Sequence, residues 1–130
     1  MTLHATEPRD VTTAVIGAGY VGLTTAVVLA DLGYRVACGE SDPAKVETLS
    51  RGEPTIVEDG LGEILRKGLD SGRLTFVQGA TAAVQGAEFV FLCVPTPQGA
   101  DGAADVSFLE AVAVEIGPHL GHGAIVVLHS

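Results

Sequence analysis

The 130-residue sequence predicts a doubly wound parallel α/β sheet, and three observations carry that prediction. Apolar β-type runs begin near residues 11, 34, 74, 88 and 124, with helical stretches between them, the alternation that builds a parallel sheet. The fourth run, Glu88 to Val94, is almost wholly apolar, as a central strand buried on both faces should be. The first run passes into the first helix through a glycine turn, Gly17-Ala18-Gly19-Tyr20-Val21-Gly22. Right-handed crossovers restrict the strand order to 3-2-1-4-5. This architecture normally has a sixth strand. Here it is missing, and the chain stops where strand five would enter its next loop, so the sequence reads as truncated: a polar tail over residues 1–10, then one domain over 11–130.

Val11 to Ile16 is the first strand. Gly17 permits the tight turn out of it, Gly19 leaves room for a phosphate against the backbone, and Gly22 lets the helix pack close to the sheet. The first amides of that helix, around Tyr20 to Gly22, have no intrahelical partners and carry the positive end of the helix dipole, so a diphosphate can take them without a basic side chain. The helix runs from Tyr20 to Leu32, is stopped by Gly33, and places Val21, Thr25, Val28, Leu29 and Leu32 on one sheet-facing stripe. Tyr34 to Gly39 is the second strand. It ends on Glu40, 18 residues past Gly22, where a ribose 2′-hydroxyl acceptor is expected. Strand, glycine turn, helix, strand and acid in this order are the fingerprint of a dinucleotide-binding βαβ unit.

Ser41-Asp42-Pro43 opens a second helix, with Asp42 as cap and Pro43 at the first helical position, running to about Ser50. Arg51 to Gly60 is a loop. Leu61 to about Asp70 is a helix with Leu61, Ile64, Leu65 and Leu69 on one face, Leu74 to Val77 a short strand, and Ala80 to Gln85 a helical turn. Pro95-Thr96-Pro97-Gln98-Gly99-Ala100-Asp101-Gly102 reads as neither sheet nor helix. Ser107 and Glu110 form a capping box. The helix they open carries Leu109, Val112, Ala113, Ile116 and Leu120 on one face, stops around Pro118, and leads to the fifth strand, Ala124 to Leu128.

Composition excludes several classes. Apolar residues make up 47%, enough for a true core. Seven basic residues stand against sixteen acidic ones, a formal charge of −9 without a basic stripe, so nucleic acid is not the expected partner. Val11 to Ala30 carries no charge, but its threonine pairs and glycines fit a strand and a helix better than a membrane span. The leader holds Glu7, Arg9 and Asp10 rather than a basic cluster, so it is not read as a signal peptide, and the expected location is cytoplasmic. Cys38 and Cys93 sit in apolar strand contexts as small hydrophobes, with no disulfide expected. His119 and His122 lack the further ligands a metal site needs, and no metal is expected.

Four segments together resemble the N-terminal NAD-binding domain of the UDP-glucose/GDP-mannose dehydrogenases, whose fold is Rossmann-type. These are Gly17 to Leu23 (G-A-G-Y-V-G-L), Glu40-Ser41-Asp42-Pro43 with Lys45, Gly52 to Leu61 (G-E-P-T-I-V-E-D-G-L), and Val94-Pro95-Thr96-Pro97 with the later Ala104-Asp105-Val106-Ser107. Departures are Glu40 where the family usually has Asp, Thr55 and Asp59 in place of two prolines, and His129 where Lys is common. The resemblance implies NAD as cofactor, with Gly17, Ala18, Gly19, Tyr20, Val21 and Gly22 at the pyrophosphate and Glu40 and Lys45 at the adenosine ribose. Val94, Pro95, Thr96, Pro97, Gln98 and Ser130 would approach the nicotinamide side. It implies a nucleotide-sugar substrate, oxidised at C6 to a carboxylate by the intact protein, and a homo-oligomer. The family's catalytic cysteine belongs to a later domain, so no catalytic residue is expected in this chain and alone it should be inactive. The alternative is a non-catalytic nucleotide-sensing module of a channel or transporter. On the residues alone Lys45 could equally be a surface lysine, and Glu58 reads as a loop acid near the next helix's positive end rather than a site carboxylate.

Overall fold

The computed structural model describes residues 10–129. Five parallel strands form one sheet in the order β3-β2-β1-β4-β5: β1 Thr12–Ile16, β2 Arg35–Glu40, β3 Leu74–Gln78, β4 Phe89–Leu92 and β5 Ile125–Leu128. Five helices connect them: α1 Tyr20–Asp31, α2 Pro43–Ser50, α3 Leu61–Ser71, α4 Ala80–Ala83 and α5 Ser107–Ile116, the last continuing as a 3₁₀ turn over Gly117–His119. The parallel registers are level. Ile16 pairs with Gly39 on one side and Leu92 on the other, and Leu92 pairs with Leu128, so the carboxyl ends of these strands open onto one edge.

Alternation along β1 splits the core between the two faces of the sheet. Val15 faces a cluster with Leu23, Val27, Val36, Leu49, Leu65 and Leu74, roofed by α1 and α3. Ala14 and Ile16 face the other, with Val84, Val90, Leu92 and Ile116 under α4 and α5. Complete burial of a leucine such as Leu23 or Leu65 stabilises the fold by about 1.5–3 kcal/mol relative to exposure.

Several expectations need correction. The sheet-facing stripe of α1 is Gly22, Leu23, Ala26, Val27 and Ala30, whereas Val28 and Leu32 are exposed. The helix is apolar nearly all round, so spacing could not select a face. The small residues won because they let the helix axis approach the strands. β4 is buried on one face only: Val90 and Leu92 are covered, while Phe89 and Phe91 are half-buried because α1 packs over β1, β2 and β3. The capping box at α5 does not form. Val106 is the cap residue without a side-chain bond, and Asp105 does the work instead, its Oδ1 accepting from Ser107 N–H at 2.9 Å and Ser107 Oγ at 2.6 Å. Those two bonds hold the Asp105 carboxyl below the usual carboxylate range. Ala113 is exposed rather than on the buried face. The Asp42 cap forms as expected, accepting from Ala44 N–H at 3.0 Å. Residues 1–9, where the loose tail was expected, lie outside the described residues.

Candidate functional site: a cleft over the glycine turn

A cleft of about 670 Å³ opens at the carboxyl edge of the sheet. Its floor is the glycine turn, and the three glycines of that turn are required for different reasons. Gly17 has φ +100°, and a Cβ there would lie 2.7 Å from Cys93 O. A Cβ on Gly22 would come within contact of nothing tolerable, since Gly17 O would be 1.6 Å away. Gly19 differs. Its φ of −74° suits any residue, and a Cβ there would meet nothing within 4 Å. Its missing side chain therefore leaves open space on the cleft floor rather than relieving strain.

Gly19 is also the cap residue of α1, which has no side-chain cap and no acid in its first turn. The amides of Tyr20, Val21 and Gly22 precede the first possible intrahelical acceptors and present partial positive charge at the cleft. Gly17 N–H is tied to Gly39 O at 2.8 Å and Leu23 N–H to Gly19 O at 2.8 Å, so the turn is fixed from both sides.

Glu40 stands at the end of β2 with its carboxylate reaching back over the turn. Oε1 accepts from Ala18 N–H at 3.1 Å and lies 3.8 Å from Lys45 Nζ. Oε2 accepts from Asp42 N–H at 2.9 Å and, more loosely, from Ser41 Oγ at 3.4 Å. The carboxylate thus ties the glycine turn to the start of α2, a contact the sequence reading did not foresee. Lys45, ambiguous from the residues alone, lines the cleft.

Of the residues singled out from sequence, Gly17, Ala18, Gly19, Tyr20, Val21, Glu40, Lys45, Val94, Pro95 and Thr96 line this one cleft. Gly22 lies just beneath it, against the turn. Pro97 and Gln98 do not line it. Their segment, expected to be free of sheet, folds back as a small hairpin. Gln98 bridges Ala104 in antiparallel fashion, Gly99 N–H donates to Ala103 O at 2.6 Å, and Asp105 N–H donates to Pro97 O at 2.6 Å. Gln98 Nε2 is engaged by Gly102 O at 3.0 Å. Ser130 lies outside the described residues.

The cleft has a further wall that sequence reasoning missed. Phe108, Val112 and Glu115 line it from α5, facing Gly79 and Ala80 at the end of β3. Val112 belongs to the apolar face expected from sequence, whereas Phe108 and Glu115, four and three residues away from it on the helix, fall outside a face centred on Ile116. Glu115 Oε2 accepts from Thr81 Oγ1 at 2.8 Å and Thr81 N–H at 3.3 Å, fixing α5 to the start of α4. His129 closes the far end and is anchored through its N–H to Leu92 O at 3.0 Å.

Neither cysteine has the surroundings of a nucleophile. Cys38 is fully buried in the core and its thiol is pushed up to about 12, chiefly by desolvation. Cys93, expected to be shut inside the sheet, is half-buried on the cleft wall, and burial raises its thiol too. Among the described residues no group of three or more His, Cys, Asp or Glu could hold a metal ion, and no helix is long and apolar enough to cross a membrane.

Comparison with known proteins agrees with this geometry. The sequence is 50% identical over 113 residues to UDP-glucose 6-dehydrogenase of Pseudomonas aeruginosa, covering 87% of this chain and 25% of that protein. It is 40% identical over 117 residues to UDP-glucose 6-dehydrogenase of Rhizobium meliloti, covering 89% and 27%. Among solved structures, a UDP-glucose dehydrogenase from Pyrobaculum islandicum superimposes with a TM-score of 0.80 at 39% identity, over 90% of this chain and 27% of that one. The chain spans about a quarter of the length of the curated relatives it matches. These relatives offer nothing in favour of a sensor module. The sequence model described as the UDP-glucose/GDP-mannose dehydrogenase family, NAD binding domain, matches residues 11–130, and the chain belongs to that family.

Proposed function

We propose that the cleft binds NAD and that the chain is the cofactor half of a nucleotide-sugar 6-dehydrogenase of the UDP-glucose type. The observation that carries the reading is Gly19: an unstrained position whose absent side chain leaves the cleft floor open beside the uncapped amides of α1. A diphosphate fits there on backbone donors alone. Glu40 and Lys45 would hold the adenosine ribose, and the apolar wall of Ala80, Phe108 and Val112 would receive the adenine ring. Val94, Pro95 and Thr96, with His129, would line the nicotinamide end. When bound, NAD supplies the hydride acceptor. This chain's own residues bind and orient it.

Glu40 opposes a 2′-phosphate by charge, so NAD is preferred over NADP. Residues 11–130 act as one cofactor-binding unit. The substrate is a nucleotide sugar, on the relatives' names, and the intact protein is a cytoplasmic homo-oligomer, as the family resemblance implies. Alone the chain turns over nothing, because the oxidation to a carboxylate needs a thiolate beside the sugar carbon, and burial shifts both thiols here away from the thiolate. Titration calorimetry with NAD and NADP tests the cofactor reading, with NAD binding at least tenfold tighter. Equal affinity for the two would end it. Absorbance of NADH with UDP-glucose as substrate tests the second part, and turnover lost in Cys93→Ala would overturn it.

A further inference from the structure

The wall that α5 gives to the cleft begins apolar and ends in a carboxylate. Phe108, Val112 and Glu115 lie four and three residues apart, so they form one stripe along the helix, and all three line the cleft. Thr81 holds the carboxylate by a single oxygen. Glu115 Oε2 accepts from both the Thr81 hydroxyl and the Thr81 amide, at 2.8 and 3.3 Å. Both donors are neutral. Among the described residues no Lys, Arg or His pairs with Glu115, unlike Glu40 beside Lys45, and none donates to its Oε1. A charged acceptor aimed by a neighbour, with one oxygen spare at the end of an apolar wall, suits an amino group carried on a flat ring.

We propose that Glu115 reads the base of the dinucleotide: its Oε1 accepts a hydrogen bond from the exocyclic amine of adenine, and Thr81 is the positioning residue that aims it. The proposal rests on the NAD reading, in which Ala80, Phe108 and Val112 would receive the adenine ring. Apolar contact alone does not tell one purine from another, because every base offers a flat face. A carboxylate does. It accepts from an amine at position 6 and meets the lone pairs of a 6-oxo group with repulsion. Were Glu115 only a clamp between α5 and α4, the identity of the base would make no difference to it.

Titration calorimetry tests this with NAD and with nicotinamide hypoxanthine dinucleotide, whose base carries a 6-oxo group in place of the amine. The proteins are the unmutated chain, Glu115→Gln and Glu115→Ala. The unmutated chain should bind NAD about tenfold tighter than the hypoxanthine form, as expected of one hydrogen bond to a charged group. Glu115→Gln keeps an oxygen for Thr81 and turns its NH2 toward the base, a donor where an acceptor stood, so the preference should vanish or reverse. Glu115→Ala should bind the two forms alike. A preference for NAD that survives in either variant overturns the proposal, as does equal binding of both dinucleotides by the unmutated chain. Each result is a ratio of two affinities in one protein, so a variant weakened in folding still yields it. A failure of the cofactor reading looks different: the unmutated chain then binds neither dinucleotide, and the proposal falls with it.

Discussion

The two sides of β1 are built to different standards. Toward β2 and β3, the sheet is roofed by α1 and α3, and Leu23, Leu49, Leu65 and Leu74 are sealed from water. Toward β4 and β5 the cover thins. α5 buries only Ile116, and on β5 Ile125 is 52%, Val126 40% and Leu128 64% exposed. The cleft straddles this divide. Its glycine turn, Glu40 and Lys45 stand on the well-packed side, while Val94 to Thr96, Phe108, Val112, Glu115 and His129 stand on the thin one. The difference teaches that the groups on which the proposed cofactor reading leans most, the glycine turn and Glu40, are backed by the sealed half of the core. The opposite wall is not.

The largest effect should separate the two sides directly. Leu65→Ala opens a cavity in the sealed half and should cost about 2–5 kcal/mol in urea unfolding. Val126→Ala on the thin half should cost about 0.5 kcal/mol or less. Similar losses for both would erase the contrast.

Next comes Gly19→Val. The branched side chain enters the cleft floor without backbone strain, so NAD affinity should fall by about a hundredfold or more, roughly 2.7 kcal/mol, while the melting temperature stays close to that of the unmutated chain. Normal binding would reduce the glycine run to a structural turn.

A smaller change is expected at the thin wall. Glu115→Ala releases α5 from Thr81, and NAD affinity should drop only a few-fold, about 0.5–1 kcal/mol, as for one ordinary hydrogen bond. A loss as large as that of Gly19→Val would mean that both walls are equally critical.

The smallest effect is a matter of pH. The carboxyl of Asp105 is held below its ordinary range by Ser107, so it favours the folded state above the unfolded carboxylate range and ceases to do so as pH falls through its folded value. The melting temperature of Asp105→Asn should lie below that of the unmutated chain at neutral pH, and the gap should close in acid. A gap that persists unchanged in acid would show that charge has no part in the cap.

Much of this was readable in the residues because the decisive signals are local. The glycine turn, the acid after β2 and the Asp42-Pro43 helix start are matters of a few consecutive positions, and the strand order followed from handed crossovers. What escaped reading depends on contacts between distant segments. The buried face of α1 could not be chosen while nearly every position was apolar. The α5 cap went to Asp105 because the hairpin closed by Gln98 and Ala104 delivers that carboxylate to the helix start. The same hairpin explains why Pro97 and Gln98 left the cleft. The second bond of Glu40, to Ala18, spans 22 residues and has no sequence signature.

The pairing of β1 has a consequence in time. Thr13 lies beside Phe89, a neighbour 76 positions away, whereas Val36 and Leu74, like Thr13 and Val36, are joined over shorter spans. Closing the longer loop costs more chain entropy, and contacts so far apart slow folding. On a ribosome the first three strands can assemble around α1 before β4 has left the exit tunnel. Thr96 and His129 arrive only with β4 and β5, so the cleft is completed last, when β4 zips onto β1 and β5 onto β4.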